Sequence, residues 1–142
     1  IVYINQSIIN HNKLVQMSHF STIKTKLKDR KALLQALMIM GHGVFVDETL
    51  ENPHDHEHKQ WKVDIAIGKD FGFKKNKEGV YELVADIETW NQDVPIERFI
   101  DKVSQQYAVE VISRETKKAG WDEESLEVND KQEIELVVSR WV

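Results

Sequence analysis

Five consecutive residues, His54, Asp55, His56, Glu57 and His58, alternate imidazole with carboxylate. In extended backbone alternate side chains share a side, so three imidazoles can converge, with a water or carboxylate completing the coordination sphere. Neutral imidazoles of this kind suit Zn²⁺, Ni²⁺ or Cu²⁺. The same tract follows Pro53 and equally reads as a solvated polar loop. Short His-rich runs are compositional hints, and a catalytic zinc normally draws ligands from separated elements. The balance falls on the loop and on no cofactor. His54, His56 and His58 remain the ligand set of an alternative, Zn- or Ni-binding reading.

Charge is the second chemical signal. Lys24, Lys26, Lys28, Arg30 and Lys31 surround the lone Asp29, a local net of +4. On an alternating strand the first three share a face, as a phosphate or acidic partner would require. An RNA-binding sheet also offers aromatics for base stacking, and this strand has none, so nucleic acid is disfavoured. Residues 121–142 are the reverse: seven carboxylates against Lys131 and Arg140 leave −5. Ordinary solvated faces explain both ends, and complementary surfaces explain them too. Trp90 precedes a long helical pattern and fits a lid on the helix start or, exposed, an interface anchor. Gln105 and Tyr107 within that pattern, and Arg140 near the C-terminus, complete the candidate binding residues with Trp90. No Gly-x-Gly-x-x-Gly, P-loop, Gly-x-Ser-x-Gly or His-Glu-x-x-His is present, and His42 has no nameable triad partner. The sequence predicts no catalytic residue.

These residues must be positioned by alternating strands and two helices. Ile23, Thr25 and Leu27 alternate with lysines and predict a strand over 19–27. Asp29 can cap a helix over Arg30–Met40, and Gly41 can end it in the left-handed conformation. Val44–Val46 predicts a short strand, 47–60 a polar loop, and Val63, Ile65 and Ile67 another strand. Gly68–Gly72 reads as a turn or bulge, 73–79 as a hairpin tip, and Val80–Ile87 as the return strand. Pro95 opens a helix to Ala119, a length that invites a kink near Ser113. Ser125–Asn129 and Glu133–Trp141 predict two last strands. The expected class is α+β, an antiparallel sheet with both helices on one face. Its order is β-α-β-β-β-α-β-β, compatible with a βαββ duplication.

Composition bounds the rest. The chain has 142 residues, 41% hydrophobic and 30% charged, with net charge −5. One domain is expected at this size, large enough for a core without staples. Zero Cys excludes disulfides, Cys-ligated zinc and thiol nucleophiles, and fits a reducing compartment. No apolar run reaches the ~18 residues of a membrane helix, so a soluble domain is expected. Residues 1–16, rich in Ile and Asn, make a poor signal peptide. They are expected to be an extension outside the fold, with Met17 opening a single domain over 17–142; an extra edge strand from the β-prone Ile1–Ile4 and Ser7–Ile9 is the competing reading.

Several segments resemble a known family. They are Met17-Ser18-His19-Phe20, Leu83-Val84-Ala85-Asp86, Trp90-Asn91-Gln92, Lys102-Val103-Ser104-Gln105-Gln106-Tyr107-Ala108 and Leu136-Val137-Val138-Ser139-Arg140-Trp141. In this order and spacing they resemble Ycf35, also classed as DUF1257, a family of cyanobacteria, algal plastids and some phages. The resemblance implies a bacterial-cytoplasmic or plastid-stromal setting and brings no activity with it. The His-rich loop is where this chain departs from the family. The expectation is a non-enzymatic accessory protein acting through a protein partner, with uncovered strand edges also compatible with a homodimer. Metal binding by the His-rich loop and RNA binding by the basic strand are the alternatives.

Overall fold

Ile23, Leu83, Phe73 and Ile65 lie directly opposite one another across four neighbouring strands, and all four are fully buried. Alternation makes this row: each strand sends every second side chain to the same side. The computed structural model describes residues 3–5, 20–52 and 60–140. Along the chain run β1 (Tyr3–Asn5), β2 (Phe20–Lys24), α1 (Arg30–Ile39), β3 (Val44–Glu51), β4 (Gln60–Ile67) and β5 (Phe71–Lys75). Then come β6 (Tyr81–Asp86), α2 (Ile96–Lys118), β7 (Asp122–Val128) and β8 (Ile134–Ser139). The first six strands form one antiparallel sheet in the order β1-β2-β6-β5-β4-β3, and β7 and β8 pair separately.

Both helices pack on the row's side of the sheet. Leu33 and Leu37 of α1, and Ile96, Phe99, Ile100 and Val103 of α2, bury themselves against Ile23, Ile65, Phe73 and Leu83. Each such side chain contributes about 1.5–3 kcal/mol by leaving water. α1 begins where expected, with the Asp29 carboxylate accepting the Ala32 N–H at 3.0 Å. Gly41 follows it at φ 89°.

The opposite side of the sheet is covered by the sheet's own hairpin. Pairing of β4 with β5 stops at Ile65–Phe73, and the next carboxylate, Asp64, accepts the Lys75 N–H at 2.6 Å instead. Across the hairpin Asp47 takes φ 53° between the pairs Val46–Ile65 and Glu48–Val63. Beyond this level β3 and β4 leave the sheet plane. Leu50, Trp61 and Val63 pack on Phe20, Ala66 and Val84, which point away from the helices. Trp61 meets Phe20 edge-on at 5.9 Å. Gly72 lies under the crossing. A Cβ there would sit 2.3 Å from the Ile65 carbonyl oxygen and 3.1 Å from Ala66 Cα, so no side chain fits.

The α+β class, the antiparallel sheet and the two helices agree with the sequence reading. The element order differs. Phe71–Lys75, expected as a bulge and hairpin tip, is a full strand with Phe71, Gly72 and Phe73 buried. Four strands therefore separate the helices, and the β-α-β-β-β-α-β-β order with its duplication does not hold. The tip is shorter: Asn76 Oδ1 accepts the N–H groups of Glu78 and Val80 and closes the turn. β3 runs on through polar residues to Glu51 because it is a hairpin arm, not a loop. α2 is unbroken over Ile96–Lys118. Of the N-terminal stretch expected outside the fold, residues 3–5 are described and pair with β2 at the sheet edge.

Candidate functional site

The four expected binding residues do not converge. Trp90 is the lid on the helix start: its Nε1–H donates to the Val94 carbonyl at 2.9 Å. Its ring packs 4.7 Å from Phe71 and 5.4 Å from Phe99. Its outer edge lines a cleft of about 240 Å³ shared with Asn52, Asp70 and Asp86. Tyr107 turns instead toward α1. Its hydroxyl oxygen accepts the N–H groups of Lys28 at 3.2 Å and Asp29 at 2.8 Å. Two turns farther along the same face of α2, Arg114 grips the Asp29 carboxylate. That hydrogen bond and the Ala32 N–H hold the Asp29 carboxyl at about 2, well below the usual range. Tyr107 and Arg114 thus clamp the start of α1 onto α2.

Gln105 and Arg140 belong to a different place. Gln105 Nε2 donates to the Gln132 carbonyl at 3.3 Å and to Gln132 Oε1 at 3.2 Å, in the turn between β7 and β8. The Arg140 guanidinium lies 5.4 Å over the Trp121 ring, at the hairpin's other end. His54, His56 and His58 lie outside the described residues. Among the described residues no group of three His, Cys, Asp or Glu side chains is placed to hold a metal ion. Lys24, Lys26 and Lys28 are exposed.

One buried polar pair escaped the sequence reading. Asp86 is buried, accepting Asn52 Nδ2–H at 2.7 Å and the Glu88 N–H at 3.0 Å. It ties the end of β3 to the end of β6 across the back of the sheet and lines the cleft beside Trp90.

The distal half of α2 and the β7–β8 hairpin make the arrangement most unlike a finished core. Ser113 bonds Glu123 and Gln105 bonds Gln132, so the hairpin runs back along α2. Every residue from Ser104 to Arg114 is half-buried and none is buried, and the same holds for the hairpin's best-covered residues. Leu126–Leu136 and Val128–Ile134 are cross-strand pairs on one face. Leu126, Ile134 and Leu136 are half-buried, whereas Val128 stays 42% exposed. The other face carries Glu127 directly opposite Glu135, with Val137 beside them 49% exposed. Like charges directly opposite across a ladder are destabilising, and Glu135 Oε1 accepts the Asn129 Nδ2–H at 3.2 Å. Trp121, 37% exposed, lies against Arg140 at the hairpin's open end.

Comparison with known proteins places the chain. Residues 40–137 match the family model described as "Protein of unknown function (DUF1257)". The chain belongs to the DUF1257 family. An "Uncharacterized protein ycf35" of Pyropia yezoensis is 38% identical over 130 residues, 88% of this chain and 98% of that protein. Proteins of the same name from Cyanophora paradoxa and Guillardia theta are 32% and 33% identical, again over 88% of this chain. No solved structure matches. The DUF1257 match begins at Met40 and takes in the crossing hairpin, the Asp86 cleft, α2 and most of the β7–β8 arm. Among the described residues of this DUF1257 chain no helix is long and apolar enough to cross a membrane.

The Glu127–Glu135 pair was latent in the sequence. The Asn129 N–H donates to the Glu133 carbonyl at 2.9 Å, and counting outward from that closing pair sets these two residues opposite each other. Asp86–Asn52 and Asp29–Arg114 carry no such signal, because their partners are 34 and 85 residues apart and tertiary packing alone joins them.

Proposed function

We propose that this protein is a non-enzymatic accessory protein that works by binding another protein through the β7–β8 hairpin and the adjoining half of α2. The observation that carries the reading is Glu127 facing Glu135 beside exposed Val137. Isolated in water, that face is mildly self-repelling and leaves apolar surface wet. Against a partner whose lysines or arginines surround an apolar patch, both costs become attractions. Seven carboxylates against Lys131 and Arg140 over the hairpin supply long-range steering toward such a partner.

The test is affinity capture from an algal lysate with the full chain and with Val137→Lys, each at low and moderate salt. The expected result is a stoichiometric protein held by the parent chain at low salt, weakened by salt and absent from the variant. Identical capture by both proteins would contradict the assignment of the surface.

A further inference from the structure

We infer that two copies of this chain join edge to edge through β3, around a two-fold axis at Phe45, extending both sheets into one. This surface is separate from the β7–β8 arm and does not depend on it.

Four large apolar side chains crowd one edge of the molecule. Met38 and Ile39 at the end of α1 are 58% and 57% exposed, and Phe45 and Val46 of β3 are 56% and 48% exposed. Together they leave roughly 400 Å² of apolar surface in water, shared between the two faces at that edge, within the ~300–600 Å² of the largest apolar patch on a typical monomer, which is often functional. β3 is the last strand of the sheet and pairs only with β4 among the described residues. Edge strands are ordinarily guarded by lysine, proline or inward charge. Val44, Phe45 and Val46 have none, and no Asp, Glu, Lys or Arg occurs from Ala32 to Val46.

Charge and register select a second copy as the occupant. The patch is neutral, so it neither attracts a charged partner nor repels its own image. An antiparallel pairing with Phe45 on the axis sets Val44 against Val46 and Gly43 against Asp47, with no like charges opposed. Sliding the axis two residues toward Leu50 would put Asp47 on its own image, which is unfavourable. Asp47 also takes φ 53° where β3 bends away, which limits the straight edge to Val44–Val46. Both faces gain cover. Phe45 lies on the side of Ala66, away from the helices, so the two Phe45 rings meet there. Val46 lies on the side of Ile65, the side on which α1 packs. Two patches of this size plus the joined backbone reach about 1,000 Å² in total, the low end of specific interfaces. A dimer of roughly micromolar affinity is the expectation.

Sedimentation equilibrium on the full chain, from the low micromolar to the high micromolar range, tests this directly. The expected result is a monomer–dimer equilibrium that Phe45→Lys weakens by about tenfold or more, with an unchanged far-UV spectrum. Because the chain has no cysteine, Phe45→Cys gives a second measurement with a single thiol. On the axis two such thiols come within disulfide reach, so mild oxidation should yield a covalent dimer, whereas Val137→Cys should not. A monomer at every concentration overturns the inference. So does a dimer indifferent to Phe45→Lys, or a Phe45→Cys that crosslinks no faster than Val137→Cys. Should Phe45→Lys fail to fold, the crosslinking comparison decides alone.

Discussion

Replacing Gly72 by Ala tests whether the β3–β4 hairpin really crosses the back of the sheet. The added methyl carbon would stand 2.3 Å from the Ile65 carbonyl oxygen, 3.1 Å from Ala66 Cα and 3.1 Å from Val63 Cγ2. Two of those three atoms are backbone, so no side-chain rotation relieves the contact and β4 itself must retreat. Relief by an ångström or so loosens the Ile65–Phe73 and Ala66–Gly72 pairing and the packing of Leu50, Val63 and Trp61. Overpacking of this kind costs about 1–3 kcal/mol, and a strained backbone contact belongs at the upper end. The assay is urea unfolding with a paired control, Gly43→Ala, where an added Cβ meets nothing within 4 Å and φ is not positive. The control should fall within about 0.5 kcal/mol of the parent. Gly72→Ala should lose about 2–3 kcal/mol. If both variants unfold together with the parent, the crossing is not where the account puts it.

Three further outcomes follow from the clamp and the cleft. Asp29→Ala should cost about 1 kcal/mol at neutral pH through the lost cap. Because the carboxyl sits at about 2 against an ordinary 3.8, its stabilisation is complete above pH 4 and fades as pH falls toward 2. The gap between parent and variant in acid denaturation should therefore shrink over that window; a constant gap would mean the carboxylate is not paired. Tyr107→Phe keeps the ring and removes the acceptor of two backbone N–H groups, for about 1–2 kcal/mol by thermal melting. A melt unchanged from the parent would show that water replaces the hydroxyl at no cost. Asp86→Ala should lose about 1–3 kcal/mol by releasing Asn52 and the Glu88 N–H, read by urea unfolding. A neutral result would remove Asp86 from the account of how β3 is held.

What the sequence made legible was what periodicity encodes. Leu33, Leu37, Phe99, Ile100 and Val103 announced two amphipathic helices, and Ile65, Ile67 and Leu83 announced central strands. Asp29 and Gly41 marked the ends of α1 because capping is a local chemistry. Phe71–Lys75 was hidden because Gly68, Gly72 and the lysines that follow imitate a turn, while its three buried residues are adjacent rather than alternating. Gly72 is there to admit the β4 backbone, a requirement set by a strand next to it in space. β3 was hidden for a related reason: Asp47, Glu48, Thr49 and Glu51 are polar, and Leu50 alone betrays the buried arm. The site was less legible than the fold. Trp90, Tyr107, Gln105 and Arg140 make contacts to the Val94 carbonyl, the start of α1, Gln132 and Trp121, partners that the sequence pattern did not name. The acidic C-terminal segment was visible as a charge imbalance, but its meaning depends on Glu127 and Glu135 being opposed, which pairing register alone establishes.

The central claim is that the β7–β8 face keeps Glu127 against Glu135 for a partner, at some expense to the fold. Glu127→Lys separates the two. It replaces a repulsive cross-strand pair with an attractive one, so the variant should melt at or above the parent temperature, by up to ~1 kcal/mol of added stability. The same substitution reverses a charge at the proposed contact, so the protein captured by the parent chain should be lost. A stabler or equal fold with capture abolished is the predicted result. Capture that survives Glu127→Lys undiminished would contradict the account.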